Sequence, residues 1–363
     1  MAERTFHMSR FLTLAGAPCT VLTLDIGLDA ARVAALAPAT IVPLPYLWRR
    51  FYVPRISWRH VRQLVDDADI IHLMGHWGIL NAVVYLAARL AGKPYVVCPA
   101  GALPLFGRSR WLKRLYNLVI GNAIVRNADA TIAVTAAEIQ NFQSYGVPAS
   151  DVTVIPNGVC KEDFAVFDKA SLLARGVQDA PMILFMGRLN PIKGPDLLLQ
   201  AFAQVRDRLP GYQLVFAGPD GGMLSLLQAA AARHGLAQRV HFLGHVDGGV
   251  KSTAYRFAKL LVVPSRQEAM SIVALEAGIC GTPVLLTDQC GFSEIRTVDP
   301  RLEVPATADA LADGLVQLLS EPFQLAKIGP PWQHLIESRY AWEAIVPVYL
   351  ELYKDVLNRG GPG

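Results

Sequence analysis

MILFMGRLNPIKGPDLLLQAF, residues 182–202, is an apolar run that stops at a glycine and resumes as a helical pattern. Five consecutive apolar residues, 182–186, read as a strand buried on both faces. A helix is expected over 195–209. Gly187, Arg188, Lys193 and Gly194 stand at the junction. A glycine at a strand end lets a ligand approach the backbone closely. Arg188 and Lys193 add two fixed positive charges, one a planar fork and one a point charge, which suits a diphosphate. The plain alternative is a pair of solvated loop cations.

The same alternation runs outward in both directions. Strands are expected at 20–25, 68–74, 94–98, 129–134, 152–155, 213–217, 239–243, 259–263 and 282–286. Helices are expected at 78–91, 110–122, 136–145, 222–234, 271–279 and 306–320. Near-continuous apolar strands separated by helices predict an α/β chain with parallel sheets covered on both faces. The alternation lapses at 156–180, so two domains are expected, 1–160 and 161–339. The remaining residues, 340–363, hold a last helix expected to pack back on the first domain. Open sheets of this kind bind ligands beyond the carboxyl ends of their strands.

A second motif obeys that rule. Pro264-Ser265-Arg266-Gln267-Glu268-Ala269-Met270-Ser271-Ile272 follows the apolar strand at 259–263 and opens a helix near Ser271. The free N–H groups of a helix N-terminus suit a phosphate. Glu268 precedes the helix, and Glu276 lies within it among apolar neighbours, where a carboxylate needs a partner. Carboxylates so placed accept hydrogen bonds from sugar hydroxyls. Glu268 alone also reads as an acidic cap before a helix.

FMGRLNPIKGPDLLLQAF, FAGPDGG (216–222), FLGHV (242–246) and VVPSRQEAMSIVALEAGICGTPVLLTD (262–288), with VIPNGV (154–159) between the halves, together resemble family 4 of the retaining glycosyltransferases. The resemblance is close over about 150–350 and looser before it. It implies the GT-B fold, two Rossmann-like doubly wound domains facing a cleft, with an acceptor-binding first domain and a donor-binding second. It implies that Arg188 and Lys193 hold the leaving diphosphate and that Glu276 binds the ribose. Glu268 would meet hydroxyls of the transferred sugar, near the backbone amides of Met270, Ser271 and Ile272. Gly187, Gly218, Pro219, Gly244, His245 and Val246 would line the same crevice. No metal and no cofactor is implied beyond a nucleotide-diphosphate sugar as co-substrate, UDP being the commonest base.

The first half departs from the family pattern. IHLMGHWG (71–78) ends a strand with His76 and Trp77. His76 reads either as catalytic or as a core histidine, and Trp77 either as a sugar platform or as core. Many relatives carry His where Ala100 stands; either His76 replaces it or this chain belongs to a subgroup that does without it. Residues 2–18 look like the first helix of the fold, which leaves its first strand and Gly-Gly loop apparently missing. Either the start lies upstream of Met1, which is the favoured expectation, or the domain is truncated, and a sheet without that strand would expose Val21, Leu22 and Ile70. Asp67-Ala68-Asp69 precedes a strand, where a turn is expected; a metal site belongs at a strand's exit.

The bulk numbers narrow the class. The chain has 363 residues, 52% hydrophobic, with a net charge of +4. Residues 1–150 carry 15 Lys+Arg against 8 Asp+Glu, so an anionic partner is expected there. Five scattered Cys without paired spacing read as reduced thiols of a cytoplasmic protein. No signal peptide and no membrane span is expected. Two basic, aromatic stretches, Arg49 to Arg62 and Arg108 to Tyr116, suit the inner membrane face and a glycan or polyprenyl-diphosphate acceptor; the plain reading is a solvated helix. No nucleic-acid motif accompanies the charge. The reaction expected is retaining sugar transfer in polysaccharide or glycolipid assembly. The other readings are a non-catalytic nucleotide-sugar-binding partner and a GT-B epimerase.

Overall fold

A computed structural model describes residues 2–48, 52–105 and 109–360. The chain divides into two compact units: residues up to Gly158 together with those from Trp342 onward, and Val159–Ala341 between them. The basic residues Arg49, Arg50 and Arg108, and Phe51 with them, lie outside the described residues.

Unit 1 opens with helix α1 (Ala2–Leu14), strand β1 (Thr20–Leu24), helix α2 (Ala30–Ala35) and strand β2 (Thr40–Leu44). A short antiparallel pair follows, β3 (Tyr46–Trp48) with β4 (Val53–Pro54). Then come α3 (Trp58–Asp66), β5 (Ile71–Met74), α4 (Ile79–Ala91), β6 (Tyr95–Cys98), α5 (Arg110–Tyr116), α6 (Asn122–Arg126), β7 (Ala130–Ala133), α7 (Ile139–Ser144) and β8 (Val152–Val154). Strands β5, β6, β7 and β8 pair in parallel in that order. β1 and β2 form a separate parallel pair. Among the described residues no strand joins β1 to β5. Leu22 of β1 nevertheless packs on the core formed by Val61, Val65, Leu73, Tyr95 and Val97.

Unit 2 holds α8 (Lys169–Leu173), β9 (Met182–Met186), α9 (Pro195–Val205), β10 (Gln213–Ala217), α10 (Leu224–Arg233), β11 (Val240–Gly244), α11 (Gly248–Phe257), β12 (Leu260–Val263), α12 (Ile272–Ile279), β13 (Val284–Thr287), β14 (Glu303–Val304), α13 (Ala308–Leu319) and α14 (Pro322–Arg339). All six strands are parallel, in the order β11-β10-β9-β12-β13-β14. This is the dinucleotide-fold order, three strands wound one way from β9 and three the other. Every residue of β9, β10, β12 and β13 is buried, which is why those strands read as unbroken apolar runs. The last helix, α15 (Trp342–Gly360), returns to unit 1 and packs on α1.

Several elements depart from the expectations. The helix expected over 2–18 stops at Leu14, and the chain turns at Gly16 with φ 90°. The helix expected over 110–122 contains a wider, π-type turn at Asn117–Gly121. β2 carries Pro43 and β14 has two residues, too little pattern to read. α14 contains Pro330 and Pro331, which read as breakers yet sit within an 18-residue helix.

Candidate active site

The winding of unit 2 reverses between β9 and β12, so the loops after these strands frame the expected ligand position. The two loops are cross-braced. Arg266 donates from its backbone N–H to the Ile192 carbonyl (2.8 Å) and from Nη1 to the Pro191 carbonyl (2.7 Å). Its guanidinium also grips Asp196 with two bonds, 2.9 and 2.6 Å. Gly194 has φ 65°, and a β-carbon there would collide with the Pro264 carbonyl oxygen. The fixed charge of Lys193 is therefore carried on a turn wedged against the start of the second loop.

The strand ends beside these loops are glycine as well. Gly187, Gly218 and Gly244 close β9, β10 and β11 in adjacent positions. The Gly187 N–H donates to Ala217 (2.9 Å), and the Gly218 N–H donates to Gly244 (2.7 Å). A side chain at Gly218 would strike the Gly187 carbonyl. Pro219 and His245 are exposed, whereas the Val246 and Met270 side chains are buried.

Lys193 and Glu268, proposed separately from the sequence, meet: Nζ lies 2.6 Å from Oε1. The other carboxylate oxygen of Glu268 accepts from Ser265 Oγ at 3.0 Å. The Glu268 backbone N–H donates to the Gln289 carbonyl (2.9 Å). Arg188, on the next turn of loop, is exposed and has no ion pair among the described residues. Ser271 stands at the N-cap position of α12 with its Oγ buried and without a hydrogen-bond partner among the described residues, and Ile272 begins the helix half-buried. The loop after β9 thus carries a lysine paired with Glu268 and an exposed arginine, and the loop after β12 carries that anchored carboxylate and leads into a helix N-terminus. That arrangement holds an anion on one side and a hydroxyl donor on the other.

Glu276 is 7% exposed and finds its partners elsewhere. Oε1 lies 2.5 Å from Lys251 Nζ, and Oε2 accepts from Tyr255 Oη at 2.6 Å. Burial, with the Glu276 charge added, pushes the Tyr255 hydroxyl well above its usual pKa, so it stays a donor. The sequence reading did not single out Lys251 or Tyr255. The available signal was their spacing of four on α11, which puts both on one helix face.

His76 belongs to unit 1 and is 2% exposed. Trp77, Tyr116 and Tyr145 surround its ring at centroid distances of 4.5, 5.6 and 5.4 Å. Its Nε2 lies 2.9 Å from Asn117 Oδ1, at the start of the π-type turn, while Nδ1 is buried without a hydrogen-bond partner. Burial lowers the pKa of His76, and the Asn117 contact opposes part of that shift. Asn117 donates to Tyr145 Oη (2.7 Å), which donates to the Leu103 carbonyl (3.0 Å). Trp77 Nε1 donates to the Ala102 carbonyl at 2.6 Å. Glu138, also missed, accepts from the Gly101 N–H. The loop after β6, where Ala100 takes a left-handed φ of 47°, is thereby tied down at three consecutive residues.

Two family patterns match the chain: residues 1–158 match the glycosyl transferase 4-like domain, and residues 174–330 match the glycosyl transferases group 1. D-inositol 3-phosphate glycosyltransferase of Segniliparus rotundus is 30% identical over 325 residues, 84% of this chain and 68% of that protein. D-inositol 3-phosphate glycosyltransferase 2 of Catenulispora acidiphila is 32% identical over 307 residues, 78% and 70% of the two. Among solved structures, sucrose-phosphate synthase from Thermosynechococcus elongatus superposes with a TM-score of 0.76 at 22% identity, over 97% of this chain and 92% of that one. Anabaena HepE in complex with UDP and glucose superposes with a TM-score of 0.77 at 20% identity, over 97% and 95%. These two structures share the fold.

Proposed function

This chain belongs to the group 1 glycosyl transferases, and from that premise we propose that it transfers a sugar from a nucleotide-diphosphate donor bound on unit 2. The observation that carries the reading is the Lys193–Glu268 pair at 2.6 Å, with Arg188 exposed on the same loop as Lys193 and in no ion pair among the described residues. As the bond from the anomeric carbon to the phosphate oxygen breaks, negative charge builds on the leaving diphosphate. Arg188, Lys193 and the backbone amides of Ser271 and Ile272 at the N-terminus of α12, with Met270 just before them, are the groups we place against that charge, and such preorganised groups stabilise a transition state most. Fixed cations do here what a metal would otherwise do, so the reaction is metal-independent. The acceptor hydroxyl attacks from the face the diphosphate leaves, its oxygen bonding to the anomeric carbon as its proton passes to the departing phosphate oxygen, and configuration is retained.

Glu268 receives hydroxyls of the donor sugar and Glu276 the ribose. Gly187, Gly218, Pro219, Gly244, His245 and Val246 form the rim. His76 acts through Asn117 and Tyr145 on the loop after β6 rather than on the sugar itself. UDP is the favoured carrier, since Anabaena HepE is described with UDP and with UDP-glucose.

Unit 1 is the acceptor side. On α5 and the π-type turn, Trp111, Leu115, Leu118 and Val119 are exposed, Leu118 by 81% and Val119 by 72%, beside Arg110, Lys113 and Arg114. An apolar row flanked by cations suits an anionic membrane surface and a lipid-linked acceptor of polysaccharide or glycolipid assembly. No helix among the described residues is long and apolar enough to cross a membrane. A soluble inositol phosphate is the second reading for the acceptor, favoured by the names of the relatives above.

Calorimetric titration with UDP, GDP and ADP tests the donor reading. One nucleotide is expected to bind, and Lys193→Ala is expected to remove binding; equal binding by the variant would falsify the assignment. Transfer is expected to survive a chelator unchanged. Co-sedimentation with vesicles of anionic lipid is expected to fall when Leu118 and Val119 become Ser or when Arg110, Lys113 and Arg114 become Gln. Unchanged sedimentation removes the membrane contact and leaves the soluble acceptor.

A further inference from the structure

Glu276 arrives at its position with half of its hydrogen-bonding capacity already used. A carboxylate offers roughly four lone-pair sites, two on each oxygen. Lys251 Nζ occupies one on Oε1 at 2.5 Å, and Tyr255 Oη occupies one on Oε2 at 2.6 Å. One site is left on each oxygen. That is the acceptor pattern a vicinal diol matches, one hydroxyl to each oxygen.

Both holders are themselves fixed. Tyr255 is fully buried, and its ring meets Phe164 edge-on at 5.8 Å between centroids. Its carbonyl accepts from Thr282 Oγ1 at 2.7 Å. The Lys251 ammonium lies 5.5 Å from the Phe164 ring centroid, so Phe164 backs both residues. Lys251 and Tyr255 stand one turn apart on α11 and reach across to α12. Of the two, only Lys251 is partly open to solvent, with 28% of its side chain accessible against 10% for Glu276. It is the residue at the edge where a ligand would arrive.

We infer that Lys251 is a positioning residue that orients the Glu276 carboxylate toward the two ribose hydroxyls and so sets a preference for ribonucleotide over deoxyribonucleotide donors. The inference rests on the reading of Glu276 as the ribose contact. Without Lys251 the carboxylate keeps only Tyr255, rotates about that bond, and meets the diol with one oxygen.

The test is a ratio, which cancels any general loss of folded protein. Dissociation constants for UDP and 2′-deoxy-UDP are measured by calorimetry on the wild-type chain, on Lys251→Met and on Lys251→Arg; if GDP or ADP is the nucleotide bound, its 2′-deoxy form replaces the pair. The wild type is expected to favour the ribonucleotide about tenfold, the size of one charge-assisted hydrogen bond. Lys251→Met is expected to reduce that preference to within about twofold, mostly by weakening the ribonucleotide, and Lys251→Arg to keep most of it. Lys251→Gln serves if the Met variant aggregates. A wild-type preference that survives unchanged in Lys251→Met and Lys251→Gln overturns the inference and leaves the donor reading standing. So does tighter ribonucleotide binding by Lys251→Met, which would make Lys251 a competitor for the carboxylate. A wild type that binds both forms equally, or neither, overturns the ribose contact and the inference together.

Discussion

Glu138 is 5% exposed and holds two chain segments with one carboxylate. It accepts from the Gly101 N–H in the loop after β6 and from the Val134 N–H, at 2.7 Å, where β7 ends. Burial raises its pKa, and those two N–H groups with Arg4 pull it back. Glutamine cannot accept at both ends, so Glu138→Gln strands one backbone donor and is expected to cost about 1–3 kcal/mol. Thermal unfolding measures the cost, and faster hydrogen exchange at Gly101 or Val134 identifies the broken bond. Lys193→Met leaves Glu268 with Ser265 alone, and a loss of about 1–2 kcal/mol is expected with the fold kept. At this scale the sequence shows residues that stand in runs. Arg188, Lys193, Glu268 and Glu276 could be picked out as candidates because each sits in a motif beside a strand end. Glu138, Asn117, Lys251 and Tyr255 could not, because none stands in such a motif and each gains its place through a partner 21 to 41 residues away.

Between elements, the brace linking the loops after β9 and β12 makes its own prediction. Gly194→Ala meets the Pro264 carbonyl and also forces a left-handed residue. Gly176→Ala carries only the second burden, since φ is 83° and nothing lies within 4 Å. Gly176→Ala is expected to cost about 1 kcal/mol and Gly194→Ala at least about 2 kcal/mol more, with donor binding weakened only in the latter. Unfolding and calorimetry on the two variants separate the effects. The fully buried strands were the easiest elements to read. β9, β10, β12 and β13 are buried along their whole length, and each was visible as an apolar run. β3, exposed at all three residues, was invisible, as was α14, whose helix carries two exposed prolines beside the buried Trp332 and Ile336. The Asn117–Gly121 turn left no mark on the apolar pattern, because widening one turn leaves hydrophobicity unchanged.

For the molecule as a whole, acid is the informative stress. His72 of β5 is enclosed by α15, with Nδ1 2.6 Å from Tyr353 Oη and Nε2 buried without a partner. Burial, helped by the Arg4 charge, depresses its pKa to about 3. The folded chain thus keeps this ring neutral while the unfolded chain protonates it near 6.5. Stability from this group is present above about pH 6.5 and is lost as pH falls toward 3, at up to about 1.4 kcal/mol per pH unit. His76, shifted the same way, adds to it. Urea unfolding between pH 7 and 4 is expected to show the slope, and His72→Gln is expected to reduce it. The enclosing helix returns from beyond unit 2: Trp342 seats on Gly158 at a distance that leaves no room for a β-carbon, and Tyr349 accepts from Arg4. That return path sets a timetable for synthesis. On the ribosome, Val159–Ala341 is one unbroken segment and is whole before Trp342–Gly360 has been made. The unit 1 residues before Val159 are therefore translated ahead of unit 2 yet completed after it, and their α1 face lacks its α15 cover until α15 has been made.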